Sequence, residues 1–259
     1  HGGQTAGVAA RLGMKCVIAC IDKYPGEVSA NILLDRLFGA EVVLEAPNGS
    51  PDQQEKLISM LIEKYTAQGE KVYYIPVGGS NDIGALGYYE CACELDEQAR
   101  AAGIEDATVV HASGSLGTYM GLFCGLKNEG SKLSLTGIAI SPFGPDKRSR
   151  LMEYFTSVKE RFGLECTASE SDFHIETDYV RGGYNLPNED VRRAIYLMAR
   201  KEALILDPCY TGKAFAALLD MINEGKIKKV AISTYIITPY NVDLLGDLID
   251  ELENNGLYF

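Results

Sequence analysis

Thr108-Val-Val-His-Ala-Ser-Gly-Ser-Leu-Gly-Thr-Tyr-Met-Gly-Leu-Phe-Cys-Gly125 passes from a β-branched run, through small hydroxyl residues, into an apolar segment. Thr108 to Val110 predicts a buried strand. Ala112 to Thr118 predicts a turn, and the residues beyond it a helix. A Ser/Gly turn at a helix mouth offers unpaired backbone N–H groups at the positive end of the helix dipole, which binds phosphate without a cationic side chain. The same turn also suits a tight strand-to-helix connection built from small residues, and the residues leave both readings open. Gly117, Gly121 and Gly125 recur every four positions along one helical face. Each costs about 1 kcal/mol against alanine inside a helix, so the stripe implies a very close neighbour.

Outward from this stretch the chain alternates strands and helices. Strands are expected at Val17–Ile21, Glu41–Leu44, Val72–Ile75, Leu135–Ile140, Leu204–Leu206 and Lys229–Ile232, with a short one near Phe173–Ile175. Helices are expected around Gln4–Leu12, Ile32–Phe38, from a cap at Asp52, over Ile83–Ala102 and Leu151–Phe162, from a cap at Asn188, after Lys213, and over Val242–Leu252. Such alternation predicts an α/β protein whose parallel sheet is covered on both faces. Gly78-Gly79-Ser80-Asn81, polar and glycine-rich, reads as the passage between two lobes, serving as a hinge more readily than as a ligand contact.

The composition narrows the function. In 259 residues the net charge is −12, against nucleic acid and anionic membrane surfaces. No apolar run reaches the roughly 18 residues of a membrane span, and no signal-peptide pattern is present. The seven cysteines have neither zinc-site nor disulfide-framework spacing and read as reduced, cytoplasmic, small hydrophobes. His1, His111 and His174 form no metal-ligand pair, so no metal site is expected. His111, at a strand end, reads as structural. The sequence begins at His1 inside what looks like the first turn of a helix, so the expectation is that an N-terminal portion is missing.

Six segments, taken together and in this order, resemble one family: His1-Gly-Gly-Gln-Thr-Ala-Gly-Val-Ala-Ala-Arg-Leu-Gly13, Asn31-Ile-Leu-Leu-Asp-Arg-Leu-Phe-Gly-Ala-Glu41, Gly78-Gly-Ser-Asn81 with Gly84-Ala-Leu-Gly-Tyr88, Ala112–Thr118, Gly183-Tyr184, and Asp207-Pro-Cys-Tyr-Thr-Gly-Lys213. The chain is similar to the D-cysteine desulfhydrase and 1-aminocyclopropane-1-carboxylate deaminase family, pyridoxal 5′-phosphate enzymes of fold type II. The resemblance implies a two-lobed, three-layer α/β/α architecture like the tryptophan-synthase β-subunit. Residues 1–77 would form the smaller lobe and 78–259 the larger, cofactor-binding lobe. Ser115, Leu116, Gly117 and Thr118 would form the phosphate cup. The Schiff-base lysine and a Ser-Asn pair would lie before His1, and Lys15, Lys127 and Lys213 match no such position.

The resemblance also assigns Tyr210 and Tyr184 to the catalytic site, and Thr211 and Thr234 to the cofactor. Thr211 stands where the deaminase branch carries a glutamate facing the pyridine nitrogen, which tilts the reading toward the desulfhydrase branch. Ser233-Thr-Tyr-Ile-Ile-Thr-Pro239 departs from that branch's His-Thr-Gly-Gly segment and places bulkier residues at the pocket's end. The implied activity converts D-cysteine, or another small β-substituted amino acid, to a 2-oxo acid, ammonia and the released β-group. The alternatives are deamination of 1-aminocyclopropane-1-carboxylate and a non-catalytic homologue that binds the cofactor or another phosphorylated ligand. A cytoplasmic homodimer with a small amino-acid substrate is the family expectation.

Overall fold

The computed structural model describes residues 1–20, 30–44, 50–104, 106–186 and 188–227. The chain divides into two compact units, His1–Gly79 and the part from Ser80 onward. The expected strand at Lys229–Ile232, the helix at Val242–Leu252, Thr234 and the Ser233–Pro239 segment lie outside the described residues.

In the first unit, helices α1 (Gly2–Arg11), α2 (Ala30–Leu37) and α3 (Pro51–Ala67) accompany the parallel strands β1 (Val17–Ala19) and β2 (Glu41–Val43). Val17, Ile18 and Ala19 pair with Glu41, Val42 and Val43. Leu57 and Leu61, one helical turn apart on α3, are buried against Val17, Ala19, Val43 and Tyr65. The α3 cap is Ser50, whose Oγ accepts from Gln53 N at 3.3 Å, while the expected cap Asp52 sits in the first turn. Val72–Ile75 corrects a second expectation. It has strand propensity, but no described strand pairs with it, and Tyr73 is 59% exposed. Propensity without a ladder partner does not make a strand.

The second unit is built on the parallel strands β3 (Thr108–Ser113), β4 (Ser134–Ala139) and β5 (Ile175–Glu176), in that order. Thr108 lies opposite Ser134, and Gly137 opposite Ile175. Side chains alternate across this sheet. Val109, Leu135 and Ala139 join the core formed with α4 (Asp82–Ala101), α5 (Gly117–Asn128) and α6 (Pro145–Phe162). Val110 and Ile138 meet the other face, under α7 (Glu189–Glu202) and α8 (Thr211–Asn223). This is the three-layer α/β/α arrangement. Asn188 caps α7, its Oδ1 accepting from Asp190 N and Val191 N at 2.9 and 3.2 Å. Leu204–Leu206, expected as a strand, pairs with no strand among the described residues, and only Leu206 among its three residues is fully buried.

The glycine stripe is explained by α4. A Cβ at Gly121 would run into the Ala85 carbonyl and the Tyr88 side chain. One at Gly125 would stand 2.6 Å from Ala92 Cβ and 2.8 Å from Tyr89 O. The two helices therefore meet backbone to backbone. Gly87, also on α4, has open space at its Cβ position. Gly121→Ala should lower unfolding stability by roughly 1–3 kcal/mol despite its better helix propensity. Gly87→Ala should raise stability by up to about 1 kcal/mol. Chemical denaturation of the two variants checks the contrast.

Candidate cofactor and active site

The β3-to-α5 turn is made by Leu116, which precedes the helix in the left-handed conformation at φ 74°. A non-glycine residue there costs roughly 1–2 kcal/mol, a strain that persists where the surroundings demand it. The first intrahelical bond is Met120 N to Leu116 O at 2.9 Å. The amides of Thr118 and Tyr119 thus precede the helical ladder. Gly117 N donates to Ser80 Oγ at 3.1 Å, and the Ser80 hydroxyl donates to Ser115 Oγ at 2.6 Å. A Cβ on Gly117 would fall 2.7 Å from that same Ser80 oxygen, so glycine is required for the approach. Ser80 is therefore tied to the turn at residues 115–117, which its reading as a hinge did not anticipate.

At the start of α8, Asp207 acts as the cap. Its Oδ1 accepts from Cys209 N and Tyr210 N at 2.8 and 2.6 Å, and its Oδ2 from Thr211 N and Thr211 Oγ1 at 2.8 and 2.7 Å. Partial burial pushes the carboxyl pKa up, but the hydrogen bonds from Thr211, Tyr210 and Cys209 outweigh it and hold the pKa below its ordinary value. Thr211 Oγ1 also accepts from Asp207 N at 2.9 Å. Its only proton is thereby committed, and toward a ring nitrogen this hydroxyl retains acceptor capacity alone.

Tyr210 Oη and Tyr184 Oη lie 2.8 Å apart, with their rings edge to face. The hydrogen bond to Tyr210, followed by burial, raises the Tyr184 pKa, so this phenol stays protonated at neutral pH. The Tyr210 ring also stands 3.8 Å from the position a Cβ would take on Gly114, in the β3–α5 turn. The turn and the start of α8 are therefore neighbours, and Tyr184 is joined to them through Tyr210. His111, behind the turn, has Nδ1 2.9 Å from Ala112 O, while its buried Nε2 meets no partner among the described residues. Burial lowers its pKa to about 4, so the ring is neutral.

Residues 1–238 match the pyridoxal-phosphate dependent enzyme family, and the chain belongs to it. It is 38% identical, over 88% of its length, to a D-cysteine desulfhydrase of Yersinia enterocolitica, of which it spans 69%. A solved homologue of ACC deaminase superimposes with a TM-score of 0.75 at 30% identity, over 85% of this chain and 65% of that one. A cysteine synthase from Entamoeba histolytica, 15% identical, shares the fold with a TM-score of 0.58 over 96% of this chain and 73% of its own. These relatives carry the fold-type-II architecture.

The donor set at the turn suits a phosphate. Ser115 and Thr118 supply hydroxyls, the first turn of α5 supplies amides, and residues 112–118 include no carboxylate to repel an anion. Thr118→Val should weaken pyridoxal-phosphate affinity by about tenfold in equilibrium dialysis, the scale of one hydrogen bond to a charged group. Asp207→Ala should cost about 1–2 kcal/mol of stability through loss of the cap. Because the folded-state pKa of Asp207 is lowered, its contribution is full above the unfolded-state value and fades as pH falls through the folded one. Acid titration of unfolding should therefore show a smaller loss below about pH 4 in Asp207→Ala than in the wild type.

Proposed function

We propose that this chain is a pyridoxal-phosphate-dependent lyase of the D-cysteine desulfhydrase type, converting D-cysteine and water to pyruvate, sulfide and ammonia. The observation that carries the reading is the 38% identity to the Yersinia enzyme over nearly the whole chain. The hydroxyl-lined turn and the tyrosine pair agree with it. Pyridoxal phosphate, when bound, supplies the electron sink that makes an amino acid's α-proton labile and allows a β-substituent to depart.

The chain's own residues would serve that chemistry as follows. Ser115, Leu116, Gly117 and Thr118 hold the phosphate, with Ser80 fixing the first amide. Residues 78–259 form the cofactor-binding lobe and 1–77 the smaller one. Thr211 would meet the ring as an acceptor, and Thr234, outside the described residues, is assigned to the cofactor by the resemblance alone. Tyr184 and Tyr210 share one proton between their oxygens, which leaves the pair one O–H to direct outward. That donor suits a substrate carboxylate or a departing thiolate. Deamination of 1-aminocyclopropane-1-carboxylate is the second reading, favoured by the 30% identity to the ACC deaminase homologue. Against it, Thr211 puts a hydroxyl tied to Asp207 where that branch carries a carboxylate.

A cytoplasmic homodimer completes the proposal. The seven cysteines have neither zinc-site nor disulfide-framework spacing, which supports a reducing compartment. No helix among the described residues is long and apolar enough to cross a membrane. Loaded with cofactor, protein that carries the family's Schiff-base lysine together with this chain should release sulfide and pyruvate from D-cysteine faster than it deaminates 1-aminocyclopropane-1-carboxylate. Turnover of the latter alone overturns the first reading, and cofactor binding with neither activity makes the protein a non-catalytic binder. Tyr210→Phe should lower kcat by about tenfold or more, the scale of lost general-acid assistance, while cofactor affinity stays within about threefold.

A further inference from the structure

Lys213, the third residue of α8, is 1% exposed, although lysine is seldom fully buried without a carboxylate partner. Its Nζ donates instead to three backbone carbonyls: Ile140 O at 3.0 Å, Val180 O at 2.8 Å and Gly183 O at 2.8 Å. Those bonds use all three ammonium protons. Carbonyl oxygens only accept, so the group they surround is the cation and not a free nucleophilic amine. This agrees with setting Lys213 aside as a Schiff-base lysine.

The three carbonyls come from two places that meet the tyrosine pair. Ile140 follows β4, and its Cδ1 lies 3.0 Å from the Cβ position of Gly114 in the phosphate turn. Val180 and Gly183 belong to the loop that presents Tyr184. That loop is conformationally costly: Arg181, Gly182, Gly183 and Asn185 have φ values of 54°, 86°, 145° and 54°. Backbone of this kind is retained only where contacts over-determine it. Arg181 clamps the loop from one side, pairing with Asp190 and Asp220 and donating to Ala216 O at 3.2 Å. Lys213 holds it from the other. Three converging carbonyl dipoles in a water-poor interior need a positive charge between them, and a tethered ammonium supplies it.

We propose that Lys213 is a positioning residue: a tethered cation that fixes the Tyr184 loop so that the Tyr184 hydroxyl meets Tyr210. The catalytic consequence rests on the lyase reading above, whereas the hold on the loop does not.

The test uses the full chain and two variants, Lys213→Met and Lys213→Ala, with backbone amide exchange read first in the cofactor-free protein. Exchange over residues 178–186 should quicken by about tenfold or more in both variants, with α5 unchanged. After loading with pyridoxal phosphate, kcat for D-cysteine should fall by about tenfold with KM changed less than about threefold, as expected for a misplaced catalytic group. Methylammonium, small enough to enter the space left in Lys213→Ala, should restore loop protection and turnover together. If Lys213→Met does not fold, Lys213→Ala carries the test, since water and the added cation reach its carbonyls. Unchanged loop exchange overturns the proposal, as does quickened exchange with unaltered kcat. Wild-type protein that carries the Schiff-base lysine and is inactive on D-cysteine refutes the lyase reading instead, and loop exchange with its methylammonium recovery then decides Lys213 alone.

Discussion

A buried helix cannot leave its first amides facing nothing. α5 is buried along nearly its whole length, with Tyr119, Met120, Leu122 and Cys124 fully inaccessible. Even so, Thr118 and Tyr119 enter the helix ahead of its first internal bond. One first-turn amide, that of Gly117, is met by Ser80. The others need water or an anion, the place proposed above for the cofactor's phosphate. The α4–α5 contact, the strained Leu116 and the glycines that admit both all serve to put this helix start at the end of β3.

The second half of the site obeys a different rule. Ahead of α8 the Asp207 carboxylate accepts from the amides of Cys209, Tyr210 and Thr211, and its carbonyl from that of Gly212, which fixes the turn that carries the side chains. Tyr210 is directed toward the phosphate turn, and Thr211 is held by the same carboxylate. Tyr184 arrives from a loop that regular secondary structure does not support and that two cations secure.

The parts legible in the sequence are those whose signals are local. The β-branched run, hydroxyl turn and four-residue glycine spacing of 108–125 identify strand, turn and helix from within 18 positions, and the structure keeps all three. Val72–Ile75 misled because strand propensity says nothing about whether a neighbour is present to pair with. The cap of α3 fell on Ser50 and not Asp52, a displacement of one half-turn that either residue type permits. Lys213 was legible only as a lysine, since its partners are carbonyls 30, 33 and 73 positions away, and a carbonyl has no residue type. Ser80 was obscured in the same way: its hydroxyl bonds to groups 35 and 37 residues on, while its glycine neighbours suggested a hinge.

The absence of side chains at Gly121 and Gly125 bears on how such a protein can diversify. A wall where two backbones touch offers no atom to exchange, so the packing of α5 on α4 is frozen at the level of main-chain geometry. Variation in ligand choice is left to the opposite rim, where Tyr184, Asn185 and Tyr210 hang from a loop and a helix tip. An engineer who wants a new substrate should randomise that rim and leave the paired helices untouched.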